Sequence, residues 1–163
     1  LLAALALPVG AATDGSLGRG GSAASSGSAQ VGLVIGDMVR LSGLDDLFMQ
    51  WDEGREAFVA SDRVCVFRND SGAYSVTATS TQGDGQFRLS GKKGSSVPYE
   101  VRWNGQRLDA GDRSAVRSDA GQALDCGDRG NVALSVRASA AQAREASQKG
   151  SHTDTLVLEI TAE

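Results

Sequence analysis

The sequence predicts an antiparallel all-β sandwich, and three observations support this fold class. Short stretches of alternating apolar residues recur along the chain, and glycine, asparagine and aspartate separate them as turns require. Only 5% of the residues are aromatic. A chain of 163 residues is long enough for one domain with a sizeable core, so regular short strands indicate a sandwich.

The strands can be placed from the alternation, because successive side chains of a strand point to opposite faces. Val31, Leu33 and Ile35 alternate first, and residues 38–41 continue that strand after a Gly-Asp break. Further strands are predicted at residues 64–68, 74–80, 86–90, 97–103, 131–138 and 154–161. The sequences "NDSG", "QGDG", "GKKGSS" and "NGQ" supply turns between them. Residues 138–150 favour either a short helix ending at Gly150 or a loop.

The N-terminal region divides into two further segments. Residues 1–12, "LLAALALPVGAA", have the apolar run and small-residue end of a secretory signal peptide that lacks its charged start; the alternative is a short buried helix. Residues 13–29 are rich in glycine, serine and alanine and are expected to form a flexible linker. Residues 30–163 then form the β-sandwich domain, and the protein is expected to be exported.

Cys65 and Cys126 fit an exported protein with one disulfide. Each lies in or beside an apolar strand pattern, "RVCVF" and "QALDC", so a bridge would join two distant strands. The alternative is a pair of unpaired buried thiols.

The composition argues against several classes of function. A net charge of −4 without a run of basic residues disfavours a nucleic-acid partner, and no later segment is apolar enough to cross a membrane. His152 is the only histidine, so we predict no metal site, cofactor or catalytic residue. A Ser-His-Asp triad using Asp154 is disfavoured, because residues two apart on a strand do not form the required imidazole–carboxylate pair.

The acidic stretch "GLDDLFMQWDEG" contains Asp45, Asp46, Asp52 and Glu53. Carboxylates of this kind could bind calcium, but the spacing of a calcium loop is absent, and a solvated acidic loop is favoured. Its apolar residues Leu47, Phe48 and Trp51 are expected to pack under the loop.

The aromatic residues admit both a core and a sugar-binding interpretation. Tyr74 and Tyr99 are in phase with apolar strand positions, and Trp103 continues the face of Tyr99, so all three are expected in the core. Trp51, beside its acidic neighbours, stays a candidate for binding a glycan.

Several features together resemble subunits of bacterial chaperone–usher fimbriae, in particular the archaic class related to spore coat protein U domains. They are an early strand "SAQVGLVIG", a widely spaced cysteine pair, the strands "GAYSVTATS" and "VPYEVRW", and the ending "GSHTDTLVLEI". The ending resembles the closing Gly-x-Tyr-x-Asp-Thr motif of that family, with His152 at the tyrosine position. The resemblance covers about residues 30–161.

The resemblance implies an immunoglobulin-like sandwich that lacks its final strand and is completed by a strand from another molecule. The candidate donor strand places Val31, Leu33 and Ile35 into a partner's groove, and the candidate groove-edge strand carries Leu156, Leu158 and Ile160. The long linker before the donor departs from the family pattern. The alternative is therefore that Val31–Ile35 is the domain's own first strand and the sandwich is complete.

By this resemblance, the protein is a non-catalytic structural subunit of a surface fimbria with a role in adhesion or biofilm formation. Its implied partners are neighbouring pilin subunits, a periplasmic chaperone and an outer-membrane usher, and it passes through the periplasm to the cell surface. The alternative from another class is a free-standing periplasmic or secreted β-sandwich that binds a glycan or another surface ligand.

Overall fold

The computed structural model describes residues 14, 25–70, 72–82, 84–116, 120–121, 123–126, 129–146 and 150–163. The predicted signal-peptide remnant and most of the predicted linker lie outside these residues. The chain divides into two units, Leu1–Gly36 and Asp37–Glu163, which we describe separately.

In the first unit, the strand predicted from the alternation of Val31, Leu33 and Ile35 is not formed, and these side chains are 95%, 84% and 68% exposed. An extended segment without a pairing partner leaves its backbone polar groups to water, so the apolar alternation alone does not make a strand.

The second unit is an antiparallel β-sandwich, which confirms the predicted fold class. Its elements are β1 (Val39–Ser42), β2 (Ala57–Arg68), β3 (Tyr74–Ser80), β4 (Arg88–Ser90), a 3₁₀ turn (Lys92–Gly94), β5 (Ser96–Trp103), β6 (Gln106–Leu108), β7 (Arg113–Val116), β8 (Val132–Ser139), α1 (Ala140–Glu145) and β9 (Leu156–Ala162).

The strands form two sheets. The large sheet has the order β1-β2-β8-β5-β4, with β6 also paired to β5, and the small sheet has the order β7-β3-β9. Trp103 on β5 donates its indole N–H to the Tyr74 hydroxyl on β3 at 3.1 Å, so the inner faces of the two sheets meet in the core.

The core confirms the expected positions of three aromatic residues, since Tyr74, Tyr99 and Trp103 are all buried. The expected burial of Phe48 and Trp51 under the acidic loop was wrong, because they are 78% and 52% exposed. The Trp51 ring instead lies at the surface, with its centroid 5.0 Å from that of Phe58 and 5.7 Å from the Arg144 guanidinium.

Cys65 and Cys126 are joined in a disulfide, with 5.7 Å between their Cα atoms and 61 residues between them in sequence. Cys126 lies in a turn between β7 and β8, not in or beside a strand. Next to the bridge, the Asn131 amide donates to the carbonyl of Val66 and accepts from its N–H, each at 2.9 Å. The bridge therefore fixes the β7–β8 connection against β2.

Apart from shifts of one or two residues at strand ends, three strands of the sandwich differ from the predicted ones. Strand β2 begins at Ala57 instead of residue 64, because Ser61, Asp62 and Arg63 interrupt the apolar pattern while their backbone still pairs with β8. Strands β6 and β7, "QRL" and "RSAV", were not predicted, since each is too short and polar to alternate visibly.

Candidate strand-acceptor edge

Strand β9 lies at the margin of the small sheet. It runs antiparallel to β3, from Tyr74 opposite Ala162 to Ser80 opposite Leu156. In the described part of the chain, no strand pairs with its other side. An unpaired edge of this length presents backbone donors and acceptors to any extended segment that approaches it.

The register identifies the backbone groups at this edge. The N–H of Thr81 donates to the carbonyl of Thr155 at 3.1 Å, and the N–H of Glu163 donates to the carbonyl of Ala73 at 3.0 Å. Because backbone groups alternate in direction along an antiparallel strand, the odd-numbered residues of β9 face β3. The N–H and C=O groups that point outward belong to Leu156, Leu158, Ile160 and Ala162.

All four side chains are only half-buried, and those of Leu156, Leu158 and Ile160 pack on the core. Their cross-strand partners on β3 differ sharply: Val76 and Ala78, opposite Ile160 and Leu158, are 0% exposed. The apolar face of β9 is therefore incompletely covered along the side on which its backbone is unpaired.

Strand β1 repeats this arrangement at the margin of the large sheet. The N–H of Asn69 donates to the carbonyl of Met38 at 3.3 Å, so Arg40 and Ser42 face β2 and the backbone groups of Val39 and Leu41 point away from it. Val39 and Leu41 are also half-buried against the core. Strands β1 and β9 are spatial neighbours in different sheets. We call the unpaired sides of β1 and β9 together the open edge.

Polar contacts hold both ends of β9. Before the strand, Thr153 forms two backbone hydrogen bonds with Ser90, at 2.8 and 3.0 Å, and the Tyr99 hydroxyl donates to Asp154 at 2.6 Å. Burial, followed by the hydrogen bond and the charge of Asp154, raises the pKa of Tyr99, so this hydroxyl stays a donor. After the strand, the fully buried Arg68 pairs with Asp70 at 2.8 Å and donates to the carbonyl of Glu163 at 3.5 Å.

His152 and Asp154, which were considered as a catalytic pair, contact different partners. His152 is 3.0 Å from the Ser95 hydroxyl, whereas Asp154 accepts from Tyr99, so the two do not form a catalytic pair. Among the described residues, no three histidine, cysteine, aspartate or glutamate side chains come together as metal ligands.

A polar cleft of about 340 Å³ lies on the outer face of the large sheet. Glu100 lines the cleft and pairs with Arg102 and Arg107, each at 3.5 Å. The negative charge of Glu100 is thus balanced by the guanidinium groups of Arg102 and Arg107.

The predicted groove-edge residues Leu156, Leu158 and Ile160 lie on β9, which is a neighbour of β1. Val39 and Leu41 of β1 belong to the same open edge, but the sequence did not predict this position for them. The alternation of Val39 and Leu41 around Arg40 could have identified them. The predicted donor residues Val31, Leu33 and Ile35 lie in the first unit and are exposed there.

No family model and no curated protein matches this chain. One solved structure, described as a chaperone–tip adhesin complex in the biogenesis of CFA/I fimbriae, is similar with 11% identity and a TM-score of 0.48. The similarity covers 77% of this chain and 42% of that one, so the chain spans less than half the length of the protein it matches. Within the described residues, no helix has the length and apolar character needed to span a membrane.

Proposed function

We propose that this protein is a non-catalytic, exported structural subunit of a surface fimbria that assembles by donor-strand exchange. The observation that supports the proposal is the open edge, where unpaired backbone groups coincide with half-buried apolar side chains. Neighbouring subunits, a periplasmic chaperone and an outer-membrane usher are its proposed partners. It passes through the periplasm to the cell surface and contributes to adhesion or biofilm formation.

Addition of one strand would pair the free backbone groups of the edge and would cover its half-buried apolar side chains. The new backbone would pair with Leu156, Leu158 and Ile160, and its inward side chains would cover the same residues. Each net hydrogen bond is worth about 0.5–1.5 kcal/mol, and each buried apolar side chain adds about 1.5–3 kcal/mol, so several such positions give stable association.

The donor we propose is the segment 30–35 of a second copy. Its residues Val31, Leu33 and Ile35 are apolar, alternate, and are exposed in the first unit. In the antiparallel orientation, Ile35 would lie opposite Leu156, Leu33 opposite Leu158, and Val31 opposite Ile160. Ala29 would then face Ala162, which matches two small residues at the end of β9.

The test is amide hydrogen exchange, measured by NMR on the oxidised chain from Thr13 with and without a peptide of residues 28–37. In the chain alone, the amides of Val157, Glu159 and Thr161 should be protected, whereas those of Leu156, Leu158 and Ile160 should exchange rapidly. Addition of the peptide should protect the second set. The matched control is the same peptide carrying Leu33→Asp, which keeps the backbone but places a charge at the central inward position.

Size-exclusion chromatography with light scattering gives the assembly state of the same samples. Oligomers that disappear when residues 30–35 are deleted, or that the peptide disperses, support the proposal. A stable monomer whose even-numbered β9 amides are already protected would refute it, because the sandwich would then supply its own last strand.

The second candidate function is a free-standing β-sandwich that binds a glycan or another surface ligand. The exposure of Phe48 and Trp51, which are 78% and 52% accessible on one loop, favours it. Binding of an oligosaccharide array that is lost in Trp51→Ala, by a chain that stays monomeric, would support this function over fimbrial assembly.

A further inference from the structure

We propose that the segment before β9 is a clasp that holds the acceptor edge in place before any donor strand arrives. The clasp consists of His152, Thr153 and Asp154 together with Ser90, Ser95 and Tyr99. Its effect on donor binding rests on the proposed function, whereas its effect on the order of β9 does not.

The first part of the clasp joins the two sheets. Thr153 exchanges two backbone hydrogen bonds with Ser90, the last residue of β4, and Asp154 accepts from Tyr99 on β5. Strands β4 and β5 belong to the large sheet, whereas β9 belongs to the small sheet. The start of β9 is therefore fixed by the sheet that it does not pair with.

The second part of the clasp is His152. The Ser95 hydroxyl lies 3.0 Å from the carbonyl of Lys92, to which it donates, and 3.0 Å from His152 Nε2. The imidazole thus contacts the turn that follows β4. It lies so close to Gly91 that a Cβ at that position would come within 2.5 Å of the ring, which only glycine permits.

Strand β9 needs such an anchor because its own contacts are one-sided. Among the described residues it pairs with β3 alone, and its inward side chains are half-buried. Elements with few buried contacts and one row of hydrogen bonds open locally at low free energy. An edge that is already ordered loses less conformational entropy when a donor binds, so the clasp should strengthen donor binding as well as order β9.

The test compares Tyr99→Phe and Asp154→Asn with Tyr74→Phe in the full chain. Tyr74→Phe is the matched control, because it removes the other buried tyrosine hydroxyl, which pairs with Trp103, and leaves the clasp intact. We expect the amides of Val157 and Glu159 to exchange about tenfold faster in the two clasp variants than in the control. The dissociation constant of the peptide of residues 28–37 should rise by about the same factor.

Gly91→Ala displaces His152 without removing any hydrogen-bonding group, and it tests the clasp independently if a Tyr99 or Asp154 variant fails to fold. Gly91→Ala should accelerate the hydrogen exchange of the Val157 and Glu159 amides. Equal exchange of Val157 and Glu159 in the clasp variants and the control would overturn the inference. If the clasp variants accelerate exchange but the wild-type chain binds no peptide, the clasp is supported and the proposed fimbrial function fails.

Discussion

Strands β3 and β9 are direct neighbours in one sheet, yet their inner faces differ in burial. Val76 and Ala78 of β3 are 0% exposed, while Ile160 and Leu158 directly opposite them are only half-buried. Both strands contribute apolar residues to the same core, and both alternate in the same way. The difference is that, among the described strands, β3 has a neighbour on each side and β9 has a neighbour on one side.

The comparison shows that burial in a sandwich is decided by the number of neighbouring strands as well as by the residue type. A leucine at the margin of a sheet contacts the opposite sheet but lacks a lateral neighbour, so part of its surface stays in water. A strand that binds beside β9 would remove this residual exposure.

The largest change in the free energy of unfolding is expected from removal of the disulfide on β2. Replacing Cys65 and Cys126 with serine opens a loop of 61 residues on the side of β2 that carries the disulfide. On the chain-entropy relation, this should lower the free energy of unfolding by about 4 kcal/mol. Urea unfolding of the double variant and the oxidised wild type measures the difference, and a loss below about 1 kcal/mol would contradict a structural role for the bridge.

A matched pair of leucines sharpens the comparison between covered and open strands. Leu134 of β8 is 2% exposed, whereas Leu158 of β9 is half-buried. We expect Leu134→Ala to destabilise the free chain by about 2–5 kcal/mol and Leu158→Ala by less than half of that.

Excess donor peptide should change this ratio in urea unfolding, because a strand bound beside Leu158 would bury it. The cost of Leu158→Ala should then rise, while the cost of Leu134→Ala stays constant. Equal costs for the two substitutions in the free chain would show that β9 is already covered.

An alkaline titration tests the contact that joins the two sheets at the start of β9. Burial and Asp154 raise the pKa of Tyr99 above its ordinary value of 10.0 in the folded chain. Above about pH 10 the unfolded chain releases this proton while the folded chain retains it, so stability should fall by up to about 1.4 kcal/mol per pH unit.

Tyr99→Phe removes this dependence and is the control, since all other titrating groups are shared. The stability difference between wild type and Tyr99→Phe should therefore be constant below about pH 9 and should change in favour of the variant above about pH 10. A constant difference up to pH 11 would contradict a buried Tyr99 hydroxyl bonded to Asp154.

The sequence predicted the fold class and most of the paired strands, because residues 74–80, 97–103 and 131–138 alternate strongly and tertiary pairing agrees with the alternation. It failed at residues 31–35, where an equally clear alternation does not form a strand. Alternation predicts which side chains share a face, but a strand forms only where a neighbouring strand pairs with it. If another chain would supply that neighbour, the alternation within this chain cannot predict it.

The candidate site was predicted only in part, for a similar reason. The strand of Leu156, Leu158 and Ile160 was predicted from its alternation, and its edge position was implied by the family resemblance. The clasp partners Ser90, Ser95 and Tyr99 lie far from β9 in sequence and became recognisable only through the fold. The spacing of His152 and Asp154 disfavoured a catalytic role for His152, but it could not reveal that His152 contacts Ser95. Long-range polar contacts depend on topology, which local patterns do not encode.

The smallest effect is expected on the outer face of β9, at Val157. Its side chain is 47% exposed, and its backbone groups face β3, so a donor strand would neither pair with it nor cover it. Val157→Thr should change the free energy of unfolding by less than about 0.5 kcal/mol and leave donor-peptide affinity unchanged. A large loss of either quantity would mean that β9 is recognised on its outer face, and the open side of the strand would no longer explain how a partner binds.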